Sequence, residues 1–133
     1  MEVGRQGEPS YAGGGTFSKL PLVLDPAELA GVDVAIVGAP TDEAVSHRPG
    51  ARFGPRAIRL ADPNATRPSS AWHMDLGLDP FEALRVVDHG DAPVIPADRE
   101  RSHAAIRATV AGVVAAGAIP IVDRKSTRLN SSH

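Results

Sequence analysis

Two clusters in this sequence combine side chains that can do chemistry at close spacing. The first is "PTDEAVSHRPGARFGP", where Asp42, Ser46, His47, Arg48, Arg52 and Phe53 crowd between a hydrophobic run and a Pro-initiated segment. Such a loop can line the mouth of a small-molecule site and steer a charged substrate. It can equally be a structural clamp, with Arg48 and Arg52 paired to acids elsewhere in the subunit or across an oligomer interface. The second cluster is "VVDHGD", where His89 and Asp91 imitate a metal-ligand pair. A capped, hydrogen-bonded turn is the expected reading there, with Asp88 and Asp91 accepting backbone N–H groups. Among the other histidines, His73 beside Trp72 and Met74 is expected to anchor loop packing. His103 should face solvent on a helix, and His133 lies in the terminal run. With no cysteine in the chain, disulfides, thiolate metal sites and a Cys nucleophile are excluded, in keeping with a reducing compartment.

The elements that must position these clusters follow from periodicity. "VDVAIVGAP" carries near-continuous β-branched residues, which suits a parallel strand covered on both faces. Gly54 and Pro55 then open a helix, Pro at a position where its missing N–H is harmless, with Ile58, Ala57 and Ala61 expected to face the sheet. Residues 62–80 read as a polar, turn-rich connection. "LRVVDHGDAPV" is a second strand. Asp98 caps a helix whose stripe is Ile106, Val110, Val113 and Val114, Gly117 stops it, and "AIPIV" is the third strand. Alternating strands and helices imply right-handed crossovers and a parallel sheet, with ligands beyond the carboxyl ends, where loops 41–53 and 88–97 emerge. Three strands leave an unpaired edge.

Residues 1–31 read as an arm packed through Phe17, Leu20, Leu22 and Leu24, and residues 32–122 as the domain proper. Residues 123–133, "DRKSTRLNSSH", abandon the Ala/Val vocabulary without a cap and resemble a translated adapter sequence, so they are expected to be a non-native tail. At 42% hydrophobic and 23% charged residues the chain is too apolar to be disordered. A formal net charge of -2 gives no footprint for nucleic acid. No apolar run is long enough to cross a membrane and no signal-peptide centre precedes the arm, so a cytoplasmic protein is expected.

The ordered set "DVAIVGAP", "SHRPGARFGPRAIR", "VVDHGD" and "AAGAIPIV" resembles the ureohydrolase (arginase/agmatinase) family, in its agmatinase-like branch, and "YAGGGTFSKLP" resembles the arm of those proteins. The resemblance implies an α/β fold, three-layer α/β/α with a parallel sheet, of which this chain holds the first three strands and two helices. It also implies a small guanidino substrate, a homo-oligomer at full length, and two Mn²⁺ ions whose bridging hydroxide attacks the guanidinium carbon to release urea and an amine. A resonance-stabilised guanidinium is a poor electrophile, so a hydroxide activated at neutral pH is needed. The family's ligands come from GGDH, DAHxD and DxDxxDP elements. Here Val122 is followed by Asp123, Arg124 and Lys125, so those ligands are absent and the chain alone is expected to be inactive.

In that setting two arginines beside a guanidinium favour the clamp for Arg48 and Arg52, leaving Asp42 and Ser46 as lining candidates. The chain departs from the family at Thr41 (commonly aromatic), at Glu43-Ala44 (a Thr-Gly type pair) and at His47 (commonly Tyr). His47 and Arg48 tolerate a carboxylate better than an ammonium, so guanidinobutyrate or another guanidino acid stands beside agmatine as substrate. A non-catalytic regulatory or assembly fragment is the alternative function. A nucleotide-binding reading fails because Gly38, Gly50 and Gly54 do not form GxGxxG.

Overall fold

The computed structural model describes residues 15–43, 45, 49–61 and 72–124. Its frame is a parallel sheet of β1 (Val34–Gly38), β2 (Val86–Asp91) and β3 (Ile119–Asp123) in the order β2-β1-β3. Helix α1 (Gly54–Ala61) and the one-turn α2 (Pro80–Ala83) lie between β1 and β2, and α3 (Arg99–Ala115) joins β2 to β3. The second connection crosses back past β1, so right-handed crossovers place α1 and α3 on opposite faces of the sheet.

The two faces differ in chemistry. Ala35 and Val37 point one way and meet Val87, Val113, Ala118 and, from the arm, Leu29 and Val32, forming a buried apolar core under α3. Gly38 points the other way, where the ring of Pro55 at the start of α1 approaches so closely that an added Cβ would lie 2.9 Å from Pro55 Cβ. Helix α3 forms where expected: the Asp98 carboxylate accepts the Arg101 N–H at 2.9 Å, and Gly117 at φ 87° lets the chain turn out of the helix. Val113 is fully buried, with Ile106 and Val110 half-buried. Val114, expected on the same stripe, is exposed because one residue further rotates it about 100° around the axis. His103, expected in solvent, is half-buried.

Helix α1 corrects a second expectation. Ile58, Ala57 and Ala61 are exposed, and the buried face is instead Pro55 and Arg59, four residues apart. The cause lies across the interface, where two carboxylates of β2 stand under the helix and the helix turns its cation to them. The polar connection also holds more structure than its composition suggests: Asp79 caps α2 by accepting the Phe81 N–H at 2.8 Å, with Pro80 at the first position. His73 pairs with Leu78 in an isolated antiparallel bridge and its Nδ1 accepts the Leu76 N–H. Trp72 and Met74 are exposed, so this loop does not anchor packing as expected.

The arm covers the outer edge of β2. Asp88 N–H donates to Pro21 O and Val23 N–H donates to Asp88 O, both at 2.9 Å, while Phe17 and Leu20 are buried and Leu24 is not. That pairing satisfies one edge of the sheet. On the other edge strand, β3, Ile119 and Ile121 are more than half exposed. Among the described residues no helix is long and apolar enough to cross a membrane.

Candidate functional site

Strand β1 sits between two neighbours reached in opposite directions, so the carboxyl ends of β1 and β3 form the topological switch point. In open α/β sheets that is where a ligand crevice opens. The chain leaving β1 there is the Asp42 loop. Asp42 is buried, and its Oδ2 accepts Gly50 N–H at 2.6 Å and Arg52 N–H at 3.2 Å while Oδ1 accepts Arg52 Nε–H. Gly50 adopts φ 137°, a conformation other residues rarely reach, which lets the turn close on the carboxylate. Asp42 thus clips the loop shut from within, with both oxygens engaged, and the acid that Arg52 pairs with belongs to its own loop rather than to a distant part of the subunit. Beyond the clip the Phe53 ring is two-thirds exposed. Ser46, His47 and Arg48 lie outside the described residues.

The Gly50 N–H is the main cause that holds the Asp42 carboxyl below its ordinary value of 3.8; burial opposes it, and the Arg52 N–H and guanidinium add to it. A depressed folded-state pKa means that the clip's contribution is fully present above the unfolded value and is lost as pH falls through the lower folded value. In an NMR titration the Asp42 carboxyl should therefore show a midpoint below 3.8, with Gly50 and Arg52 amide shifts moving in step. A midpoint at or above that value removes the clip.

A second loop approaches from β2. Glu43 Oε1 accepts Ala97 N–H at 2.6 Å, joining the two loops that the sequence placed at this end. Ala97 has φ 63°, uncommon for a residue with a Cβ. The end of β2 is built around a bulge: Ile36 pairs with Asp88 and Gly38 with Asp91, two steps on β1 against three on β2. Strict alternation would send Asp88 and Asp91 to opposite faces. The extra residue, at Gly90 with φ 74°, brings both beneath α1.

There Arg59 Nε donates to Asp88 Oδ2 at 2.8 Å, one terminal nitrogen to Asp88 Oδ1 at 3.0 Å and the other to Asp91 Oδ1 at 2.6 Å. Asp88 is fully buried and also accepts Phe17 N–H at 2.9 Å and Gly90 N–H at 2.8 Å. The Phe17 ring lies under the guanidinium, 4.4 Å from its carbon. Burial pulls the Arg59 pKa down, but the hydrogen bonds to Asp88 and Asp91 outweigh it and hold the group above its ordinary value. The expectation that these acids accept backbone N–H groups holds for Asp88, and their ion pairs with Arg59 were missed. The Arg-Ala-Ile-Arg run carries the signal, but helical spacing points to Ile58 as the inward residue and hides it.

His89 is buried with Nδ1 2.6 Å from Val23 O, an arrangement in which the ring donates to the arm. Among the described residues no group of three or more His, Cys, Asp or Glu could hold a metal ion. Asp42, Asp88, Asp91 and His89 are engaged with Arg52, Arg59 and backbone groups, so this donor set does not fit a dinuclear metal centre. Among the described residues, Glu43 Oε2 and Asp123 Oδ2 are buried without a hydrogen-bond partner.

Sheet order, helix placement and the clipped loop define a doubly wound α/β protein whose crevice opens over β1 and β3. Residues 32–122 match the arginase family. A guanidinobutyrase of Pseudomonas aeruginosa is 44% identical over 86 residues, which are 65% of this chain and 26% of that protein. A hypothetical agmatinase from Burkholderia thailandensis superposes with a TM-score of 0.74 at 31% identity, covering 90% of this chain and 36% of that one. A Trypanosoma cruzi formiminoglutamase solved with two Mn²⁺ gives a TM-score of 0.54 at 32% identity, over 69% of this chain and 31% of that one. The chain belongs to the arginase family. It spans about a quarter to a third of the length of these relatives.

Proposed function

We propose that this chain is the N-terminal portion of a manganese-dependent ureohydrolase that cleaves a guanidino compound, agmatine or a guanidinobutyrate-like acid, to urea and an amine. The observation that carries the reading is the Asp42-clipped loop at the β1/β3 switch point of an arginase-family chain. This segment contributes binding and positioning, and the metal ligands belong to residues that follow β3 in the parent protein. The guanidinobutyrase and agmatinase similarities support the substrate class, and the Mn²⁺-bound formiminoglutamase supports the metal.

The test starts with the parent gene, whose frame should continue past Val122 into Gly-Gly-Asp-His. Urea release from its product is measured with agmatine, 4-guanidinobutyrate and arginine under saturating Mn²⁺ and after chelation. Release from none of them, or release unaffected by chelation, overturns the reading. Within this assay His47→Tyr should shift the kcat/KM ratio toward agmatine and change KM more than kcat, because uniform binding of a remote group shows in KM. An unchanged ratio across the three substrates leaves the loop as a clamp only.

A further inference from the structure

We propose that Arg59 is a positioning residue for the substrate loop, holding α1, and residues 49–53 of the loop that run into it, against the end of β2 and the N-terminal arm. The inference rests on the reading of that loop as substrate-binding. Asp42 closes the loop on itself without attaching it to the sheet. Attachment comes from Glu43 through Ala97, from Pro55 against Gly38, and from Arg59 against two carboxylates that the β2 bulge brings to one side. Arg59 is the point where three segments meet, because Asp88 also accepts the Phe17 N–H and the Phe17 ring lies under the guanidinium. The arm touches α1 again where Gly15 lies against Leu60, so a Cβ there would stand 3.1 Å from the Leu60 side chain. The arm reaches the candidate site through this junction, although its residues stand on the β2 side of the sheet, away from the switch point between β1 and β3.

Guanidinium geometry makes the claim testable. A planar fork can hold both Asp88 oxygens and Asp91 at once, whereas an ammonium at the same place keeps the charge and loses the simultaneous geometry. Arg59→Lys therefore preserves charge balance and folding while loosening α1. In the full-length gene product, Arg59→Lys should raise KM for the preferred guanidino substrate about tenfold with kcat within about twofold. Amide exchange at Gly50, Arg52 and Phe53 should accelerate. Phe17→Leu, which removes the ring beneath the guanidinium and no charge, should move both readouts in the same direction.

The control is Val113→Ala, on the opposite face, which lowers stability without touching this junction. Equal KM and equal exchange in Arg59→Lys and Val113→Ala would reduce Arg59 to general stability. A fall in kcat with KM unchanged would place its effect on chemistry and equally overturn the proposal. If the parent protein releases no urea from any guanidino compound, the substrate reading fails, and the exchange rates at residues 50–53 alone decide whether Arg59 positions the loop.

Discussion

Arg59→Met lowers the stability of the protein by about 3 to 5 kcal/mol, read as the midpoint of chemical denaturation of the full-length product. The side chain of Asp88 is fully excluded from solvent and that of Arg59 is 10% exposed. Removing the cation leaves a buried carboxylate with, among the described residues, the Phe17 and Gly90 N–H groups as its remaining donors. The uncompensated charge, rather than the lost attraction, dominates the penalty, since an ion pair and an apolar replacement of similar volume often differ little. Arg59→Met combined with Asp88→Asn should therefore recover much of the loss, because no buried charge remains. A single variant within about 1 kcal/mol of the parent would mean that water reaches Asp88 freely, as it does for surface pairs.

Gly38→Ala should be a strongly destabilising single-methyl change in the sheet. A Cβ at that position overlaps the Asp91 carboxylate and stands 2.9 Å from Pro55 Cβ. Asp91 cannot swing away without releasing Arg59, and Pro55 is a ring at the rigid start of α1. Overpacking of this kind costs about 1 to 3 kcal/mol. The strain also falls on the helix that carries the loop, so urea release should fall with stability. Gly54→Ala is the comparison, because the nearest atom to its added Cβ is Asp123 Oδ2 at 3.9 Å, an ordinary contact. Equal denaturation midpoints for the two variants would show that Asp91 and Pro55 relax around the methyl group.

Local rules read from the sequence were sufficient for the three strands and for α1 and α3, though not for the one-turn α2. β-Branched runs became the three parallel strands, Asp98 and Gly117 bounded α3, and the RPGARFGP motif with its flanking runs was enough to place the chain in its family. These signals depend on nearest neighbours along the chain, where propensity, capping and turn chemistry act. Which face of α1 turns inward was decided across the sheet. Helical periodicity offered Ile58, but the β2 bulge adds one residue to a strand of period two and gathers Asp88 and Asp91 under the helix, so the buried residue is Arg59. The same holds for Asp42, whose type suits a lining residue and whose position, within reach of Gly50 and Arg52, makes it a clip. A carboxylate's role depends on which donors the fold brings within about 3 Å; for Asp88 the Gly90 N–H is local, but Phe17 lies 71 positions away and Arg59 29 positions away, distances over which no sequence periodicity extends.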